Sequence, residues 1–333
     1  MTKIGLIGCG MWGKNLARNL AQLNVLAAVS DHYNDKAAEF AKQFNNKNLD
    51  FDAILADPSI DGVVIATSAK SHDKLAIAAL QAGKHVYVEK PLSLTLVGAT
   101  SIANAAEKAG KRVMVGHLIR YHAAFCELQA QVSAGVIGRL RHIQANRLAM
   151  GRIRNNESVL FDLCPHDLSL ILTLAGGLPN KIHCAGSSHV TDGVIDYLSS
   201  FLGFENGLSA GMQTSWLSPL KEHQLTVTGT TGSMVFDDTK PWPEKLTLFH
   251  DTISMNDGKF IVDRAIPVTL PVAEAEPLKD EMRAFITCCQ TGLPAASDIT
   301  EALNVQIVLD QMQTALVDTN HLKDQMPDEH RIY

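Results

Sequence analysis

A histidine and two acids stand close together in FDLCPHDLSLI, residues 161–171. The apolar run after Pro165 predicts a helix with His166 and Asp167 in its first turn. The helix dipole disfavours a protonated imidazole there, so we expect His166 to be neutral near pH 7 and able to accept a proton. Asp162 comes one short turn earlier, where it can orient His166 or contact a substrate hydroxyl, whereas Asp167 is assigned a capping role without chemistry. The competing interpretation is a capping cluster alone; a metal site would need a convincing third ligand, so no metal is expected.

A lysine before a proline is the second candidate group. Lys90 follows the apolar strand pattern of residues 86–88 and precedes Pro91, which keeps the lysine backbone out of the helical region and gives its side chain a defined direction. If burial and a neighbouring cation lower its pKa, Lys90 can act as a base; otherwise it can polarise a substrate oxygen. The alternative is a solvated ion pair of Lys90 with Glu89.

The elements that must position these groups begin with a dinucleotide-binding pattern. A short apolar strand precedes Gly8, Gly10 and Gly13, which have G-x-G-x-x-G spacing, and an amphipathic helix follows. The first glycine permits a tight turn, the second lets a pyrophosphate approach the backbone, and the third lets helix and strand pack closely. A second strand ends at Asp31, whose carboxylate can accept hydrogen bonds from ribose hydroxyls and would repel a 2′-phosphate. No arginine follows closely, so NAD is favoured over NADP.

Strand and helix patterns continue to alternate through the first third of the chain. Apolar strands separated by helices of about a dozen residues are typical of a doubly wound parallel sheet, so we predict an α/β fold with an NAD-binding Rossmann domain at residues 1–120. Residues 121–333 contain consecutive strand patterns, with a hairpin signal at Asn206-Gly207. They predict an α+β domain for substrate binding and oligomerisation, built on a large open, mostly antiparallel sheet. Its terminal helices can pack back on the first domain.

Composition excludes several classes of protein. The net charge is −6 and the pI is near 6.1, so we expect no global basic surface for nucleic acid or an anionic membrane. The six cysteines form no C-x-x-C pair and no spacing typical of a disulfide framework or a zinc site. The sequence shows no signal-peptide pattern and no apolar run of the roughly 18 residues that a membrane helix needs. These features predict a cytoplasmic protein.

The combination of motifs resembles the Gfo/Idh/MocA group of NAD(P)-dependent oxidoreductases. The motifs that carry the resemblance are GLIGCGMWGKN at residues 5–15, EKP at 89–91, GHLIRY at 116–121 and the Asp162-to-His166 spacing. The resemblance implies a catalytic Lys90, often followed by a cis proline bond, and a substrate-facing Asp162 and His166. Together with the glycine pattern and the strand ends, it gives these expected cofactor-binding residues: Gly8, Gly10, Met11, Trp12, Gly13, Asp31, Thr67, Ser68, His72, Glu89 and Lys90.

A concentration of arginines between residues 139 and 156 points to a phosphate-bearing substrate, because guanidinium groups match phosphate oxygens. The alternative is that they are solvated strand residues. Residues 10–20, 151–172 and 214–246 resemble the sugar-nucleotide branch of the family, the UDP-N-acetylglucosamine-type 3-dehydrogenases. That resemblance implies the substrate-binding residues Arg120, Arg152, Arg154, Asn156, Trp216 and Lys221. The sequence departs from the expected pattern after the lysine, where Glu222 and His223 replace a basic residue.

The expected function is oxidation of a sugar hydroxyl, C3 of a UDP-N-acetylhexosamine, to a 3-keto sugar by hydride transfer to NAD. In this interpretation the hydroxyl lies between Lys90 and His166, and either group can be the base. One alternative is an inositol or free-sugar dehydrogenase of the same family. Another is a non-catalytic NAD-binding regulator on the same fold, against which the intact EKP, Asp162 and His166 count. We expect a homodimer or homotetramer that binds neither nucleic acid nor membrane.

Overall fold

The computed structural model describes residues 2–151, 153–155 and 157–318. These residues divide into two compact units, and each unit is built from two separate parts of the chain. Of the described residues, the first unit comprises those of 2–121 and 276–307, and the second comprises those of 122–275 and 308–318.

The helices and strands alternate regularly in the first part of the chain and are strand-rich afterwards. Up to residue 121 they are β1 (Ile4–Ile7), α1 (Met11–Gln22), β2 (Leu26–Ser30), α2 (Asn34–Gln43), β3 (Lys47–Asn48), α3 (Phe51–Ala56), β4 (Gly62–Ile65), α4 (His72–Gln81), β5 (His85–Val88), α5 (Leu96–Ala109) and β6 (Val113–Val115). From residue 122 they are α6 (Ala123–Ser133), β7 (Leu140–Met150), α7 (Val159–Asp162), α8 (Cys164–Ala175), β8 (Lys181–Ser187), β9 (Tyr197–Gly203), β10 (Ser209–Ser215), β11 (Leu217–Gly229), β12 (Ser233–Asp237), β13 (Leu246–Phe249), β14 (Thr252–Asn256), β15 (Lys259–Asp263), β16 (Val268–Thr269), α9 (Pro277–Thr291), α10 (Ile299–Ala315) and β17 (Leu316–Asp318).

Six parallel strands form the sheet of the first unit, in the order β3-β2-β1-β4-β5-β6. The chain crosses to the other half of the sheet after β3, so the switch point lies between the neighbouring strands β1 and β4. Doubly wound sheets bind ligands beyond the carboxyl ends of their strands at this point. The strands β1, β4 and β5 are buried along their whole length, which explains their continuous apolar sequences. The predicted Rossmann sheet is confirmed.

Two apolar clusters form the core of the first unit, and successive residues of a strand alternate between them. In β4, for example, Val63 and Ile65 belong to one cluster and Val64 to the other, as expected for side chains that point to opposite faces of a sheet. The first cluster includes residues of α4 and α5, and the second includes residues of α1, α2 and α9. From α9, Met282 and Phe285 are fully buried, so this late helix completes the core.

Nine strands form the sheet of the second unit, in the order β16-β13-β12-β11-β7-β10-β9-β8-β17. The pairs β7–β10 and β8–β17 run parallel, and the other neighbouring pairs run antiparallel. The hairpin predicted at Asn206-Gly207 joins β9 to β10, with Gly207 at φ +82°. The predicted large, mostly antiparallel sheet is therefore confirmed.

A separate hairpin, β14–β15, was not predicted. It forms a two-stranded sheet of its own and is exposed along both strands. Its local signal is Asp257-Gly258, both with positive φ (48° and 76°), which is typical of a tight hairpin turn. Among the residues that the structure describes, no helix combines the length and the apolar character needed to cross a bilayer.

Candidate active site

The glycine loop between β1 and α1 leaves room for an anion. Gly8 has φ +106°, and a Cβ on it would lie 2.6 Å from the Ala66 carbonyl oxygen. A Cβ on Gly13 would lie 2.0 Å from the Gly8 oxygen, whereas one on Gly10 would meet nothing within 4 Å. Gly10 is the N-cap residue of α1 and has no side chain, so the first N–H groups of the helix receive no hydrogen bond from a capping side chain. This backbone fits the pyrophosphate of a dinucleotide.

The carboxylate of Asp31 is held beside this loop by two backbone amides. The Cys9 N–H donates to Asp31 Oδ2 at 2.7 Å, and the Tyr33 N–H donates to Oδ1 at 2.9 Å. Each carboxylate oxygen can accept a second hydrogen bond, which leaves acceptors for ribose hydroxyls. Burial, with a smaller effect of Asp31, raises the pKa of the Cys9 thiol to about 12, so this cysteine stays protonated.

The segment that carries Lys90 follows the end of β5, and the buried ring of His72 connects it to the segment that follows β4. The Lys90–Pro91 peptide bond is cis, as the family resemblance implies. The His72 Nδ1 atom lies 2.8 Å from the Pro91 carbonyl oxygen, and Nε2 lies 3.3 Å from the Thr67 oxygen. Burial lowers the pKa of His72, so the ring is neutral and its single proton belongs to the shorter contact. His72 is 1% exposed, and its direct contact with a cofactor stays a prediction.

Glu89 connects the lysine segment to the glycine loop. It is a buried carboxyl that accepts hydrogen bonds from Trp12 Nε1 at the start of α1, from the Tyr87 hydroxyl (3.0 Å) and from the Lys90 backbone N–H (3.3 Å). Burial raises the pKa of Glu89, while these hydrogen bonds and the Lys90 charge oppose that rise. Three predicted cofactor residues are thus joined in one network, next to Met11, which is 76% exposed.

Sequence reasoning missed two members of this network. The Tyr87 hydroxyl lies 3.0 Å from Glu89 and also 3.0 Å from Glu281, on α9. Tyr87 was assigned to the strand core, where its ring does pack on Phe285. The signal for Glu281 is an acid at a helical position that shares the apolar spacing of Leu278 and Phe285.

In the second unit, two of the predicted substrate residues contact Asp162, the last residue of α7. Arg154 donates from Nη2 to Asp162 Oδ1 at 2.8 Å, and Trp216 donates from Nε1 to Oδ2 at 3.2 Å. Arg154 also pairs with Glu157 at 3.3 Å. The helix α8 begins at Cys164, so His166 lies in its first turn as predicted.

Asp167 does not act as the helix cap that the sequence suggested. It is buried and forms a bidentate ion pair with Arg147 of β7, with N–O distances of 3.0 and 2.7 Å. A local rule explained Asp167 only in part, because its partner Arg147 precedes it by 20 residues in the chain and lies on another element. Arg147 belongs to the arginine concentration, and this structural ion pair accounts for it.

The other predicted substrate residues are distributed less tightly. Lys221 of β11 is exposed, and Arg120 is half-buried in the first unit, whereas Trp216 in the Asp162 cluster is buried. Arg152 and Asn156 lie outside the described residues. Arg139 and Arg141 are exposed at the start of β7, which fits the solvated alternative.

The departure after Lys221 leaves no cation at the next two positions. Glu222 accepts a hydrogen bond from Asn146 at 3.1 Å. Burial, followed by the Arg147 charge, lowers the pKa of His223 to about 4, so the imidazole is neutral near pH 7. In the part of the chain that the structure describes, no cluster of three or more His, Cys, Asp or Glu side chains is arranged to hold a metal.

Two family models match the chain. Residues 2–117 match the Gfo/Idh/MocA oxidoreductase family model, described as an NAD-binding Rossmann fold, and residues 125–235 match the Gfo/Idh/MocA C-terminal domain. The two models describe the two domains of one oxidoreductase family. The relatives and the solved structure described next are also oxidoreductases.

Individual relatives include enzymes for different substrates. The UDP-N-acetylglucosamine 3-dehydrogenase of Acidithiobacillus ferrooxidans is 33% identical over 64% of this chain and 66% of that protein, slightly under two thirds of its length. Its solved structure superposes with a TM-score of 0.81 at 26% identity, covering 94% of this chain and 97% of that one. The NAD-dependent scyllo-inositol 2-dehydrogenase of Bacillus subtilis is 23% identical over 98% of this chain and 95% of that protein.

Proposed function

Because this chain belongs to the Gfo/Idh/MocA family of NAD-binding oxidoreductases, we propose that it is an NAD-dependent dehydrogenase of a sugar nucleotide. The proposed reaction oxidises the C3 hydroxyl of a UDP-N-acetylhexosamine to a ketone. We further propose that the protein acts in the cytoplasm as a homodimer or homotetramer. The regulator alternative is set aside, since the relatives are enzymes.

The cluster of Arg154, Asp162 and Trp216 is the observation that carries this proposal. Arg154 and Trp216, the two residues that the sugar-nucleotide resemblance implies, each donate a hydrogen bond to the carboxylate of Asp162, a predicted catalytic residue. A guanidinium can form two parallel hydrogen bonds to a phosphate, and the buried Trp216 indole fixes the Asp162 carboxylate beside it. The 33% identity with a UDP-N-acetylglucosamine 3-dehydrogenase supports the same substrate class.

The first unit supplies the features expected for the cofactor. The open backbone at Gly10 and the uncapped start of α1 suit a pyrophosphate. Asp31 offers acceptors to ribose hydroxyls and would repel the phosphate of NADP, so we propose NAD as the cofactor. When bound, NAD supplies the acceptor for the hydride that leaves the sugar carbon.

Lys90 and His166 are the proposed acid–base groups. As the hydride departs, the hydroxyl proton must pass to a base, and Lys90 and His166 are the two candidates for this role. The group that is not the base donates a hydrogen bond to the developing carbonyl oxygen. Asp162 orients Arg154 and Trp216 around the sugar, and the ion pair of Asp167 with Arg147 anchors the first turn of α8.

A free polyol or sugar is the second candidate substrate. The full-length similarity to a scyllo-inositol 2-dehydrogenase favours it, as does the absence of a cation at Glu222 and at the neutral His223. In that case, Arg154 would serve only to orient Asp162.

The test is NADH formation, followed by absorbance, when the protein is mixed with NAD and UDP-N-acetylglucosamine. Free inositol and glucose are assayed in parallel, and an aminotransferase with glutamate removes the keto product. Lys90→Ala should reduce turnover by about 10²–10⁴-fold. Lys108→Ala, an exposed lysine on α5, serves as the matched control.

Activity with the sugar nucleotide alone, lost in Lys90→Ala and kept in Lys108→Ala, would support the proposal. Activity with free polyols only would replace it with the second candidate. Tight NADH binding without oxidation of any of these substrates would contradict both.

A further inference from the structure

One phenolic hydroxyl in the first unit is shared by two buried carboxyl groups. The Tyr87 oxygen lies 3.0 Å from Glu89 Oε1 and 3.0 Å from Glu281 Oε2. Tyr87 and Glu281 are 0% exposed and Glu89 is 9% exposed. Burial raises the pKa of Tyr87 well above its usual value, so the hydroxyl keeps its proton. That proton can be donated to only one of the two carboxyls.

The second contact therefore needs a proton from a carboxyl group. If both glutamates were ionised, one carboxylate would face a lone pair of the phenol oxygen without a donor between them. Such a contact is costly in an apolar interior, where an ionised group must be paired or hydrogen-bonded. One of the two carboxyls must be a neutral acid that donates to Tyr87.

The surroundings assign that proton to Glu281. Glu89 receives the Trp12 indole N–H and the Lys90 backbone N–H, and the Lys90 charge favours its ionised form. Among the described residues, Glu281 Oε1 has no hydrogen-bond partner, and Oε2 contacts Tyr87. Burial, followed by the Glu89 charge, raises the pKa of Glu281 well above its usual value. Tyr121 is the other titratable group whose ionisation is coupled to Glu281, and burial keeps it neutral.

We propose that Glu281 is a positioning residue of the cofactor-binding unit: as a neutral acid it donates to Tyr87, which in turn donates to the Glu89 carboxylate. The ionised Glu89 then holds Trp12 and the backbone of Lys90 in place. The catalytic consequence rests on the proposed function, whereas the protonation state of Glu281 does not.

The backbone of Gly116 confines this chain of hydrogen bonds. A Cβ at Gly116 would lie 2.7 Å from the Tyr87 oxygen and 2.8 Å from Glu89 Oε2. The residue follows β6, whose neighbour in the sheet is β5, so glycine is required for the network to reach its observed position. This close packing explains why the first residue of the GHLIRY motif is a glycine.

The first test is infrared difference spectroscopy on the full-length protein, comparing Glu281→Gln with the parent. We expect the parent to show the carbonyl stretch of an un-ionised carboxylic acid throughout the pH range of the assay, and Glu281→Gln to lose that band. Asp280→Asn, which changes a partly exposed acid one position earlier on α9, should keep it. A band that is absent from the parent at neutral pH, or unchanged in Glu281→Gln, would overturn the proposal whether or not the protein has activity.

The second test is the pH dependence of NADH binding by fluorescence, and of kcat/KM where turnover is measurable. Protonation of Glu89 is expected to weaken binding at low pH, and this fall is the acid limb of the pH profile. Glutamine mimics a neutral acid, so Glu281→Gln should leave the midpoint of the acid limb unchanged. Tyr87→Phe removes a donor from Glu89 and raises the pKa of Glu89, so the acid limb should move to higher pH and NADH binding on that limb should weaken by about tenfold. Movement of the limb to lower pH in Glu281→Gln would mean that a negative charge had been removed, and would refute a neutral Glu281.

The two proposals fail separately. If no sugar, polyol or sugar nucleotide is oxidised, the proposed function falls while the infrared result still decides the state of Glu281. If turnover is found but Glu281 is ionised, the dehydrogenase stands and the positioning role is wrong.

Discussion

At the residue scale, Asp162 is the acceptor that joins two candidate substrate residues. One carboxylate oxygen accepts a hydrogen bond from Arg154 and the other accepts one from Trp216. In Asp162→Asn, the amide nitrogen would face one of these donors. Loss of a charge-assisted hydrogen bond costs about 1.5–3 kcal/mol, so we expect kcat/KM to fall by about 10–100-fold. Steady-state kinetics measure this effect, with the exposed Asp192→Asn as control; equal kcat/KM in Asp162→Asn and the parent would contradict the role.

Asp31 should decide between the two nicotinamide cofactors. Asp31→Ser keeps a short acceptor beside the Cys9 amide but removes the charge that opposes a 2′-phosphate. We expect the preference for NAD over NADP to fall by about tenfold, equivalent to about 1.4 kcal/mol. The dissociation constants of both reduced cofactors give this ratio. Asp35→Ser, an exposed acid nearby in sequence, should leave the ratio unchanged; an unchanged ratio in Asp31→Ser itself would remove the basis for proposing NAD.

At the element scale, the glycine loop permits a paired test of packing and binding. Gly13→Ala would place a Cβ 2.0 Å from the Gly8 oxygen, so α1 must move away from β1 and the thermal unfolding temperature should fall. Gly10→Ala meets nothing within 4 Å, so the fold should be retained while the pyrophosphate is obstructed. At an NADH concentration of about 100 Kd, binding raises the free energy of unfolding of the parent protein by about 2.7 kcal/mol. Melting curves with and without NADH should therefore show a lower unfolding temperature for Gly13→Ala than for the parent. For Gly10→Ala, NADH should not raise the unfolding temperature.

If Gly10→Ala gave the full ligand shift, the cofactor would not approach this part of the backbone. If Gly13→Ala melted with the parent, the close contact of helix and strand would have relaxed without cost.

The strand pair β7–β11 should make stability depend on pH through His223. Its folded pKa is about 4, below the ordinary value of 6.5, chiefly because of burial. Between these values the unfolded chain binds a proton that the folded chain does not, so the free energy of unfolding should fall as the pH decreases from about 6.5 to 4. His223→Asn should flatten this dependence in urea denaturation, and the exposed His183→Asn should not. Parallel curves for the parent and His223→Asn would show that other groups control acid stability.

Elements with local signals could be predicted from the sequence, while contacts between distant segments could not. The glycine loop and the parallel strands follow from residue spacing within short windows, and the prediction of both is confirmed. Asp167 was misassigned because its partner Arg147 lies on another element, where no local rule places it. Tyr87 and Glu281 are 194 residues apart in the chain, so their contact depends on which core α9 joins. Within a single sequence, the only trace of that contact is an acid on an apolar helix face.

At the scale of the whole molecule, the first unit depends on a segment from late in the chain. Met282 and Phe285 of α9 are fully buried in the same cluster as Leu6 and Tyr87. A fragment of residues 1–121 should lack a cooperative thermal transition, because the part of that cluster which α9 covers is left exposed. Adding a peptide of residues 276–307 should restore NADH binding, measured by fluorescence.

A peptide with Met282→Ala and Phe285→Ala is the matched control and should not restore binding. Cooperative melting and NADH binding by the fragment alone would show that the early residues suffice for the first unit.

The division of the first unit into two chain segments also determines the order of events on the ribosome. Translation at about 5–20 residues per second separates the synthesis of residue 121 from that of Phe285 by roughly 10–30 seconds. Throughout this interval the strands β1 to β6 have been made, together with α1 and α2, but α9, which completes the cover of one face of their sheet, has not. The nascent chain therefore leaves part of an apolar sheet face exposed until most of the second unit has been synthesised, which makes it a substrate for chaperones that bind exposed apolar segments during translation.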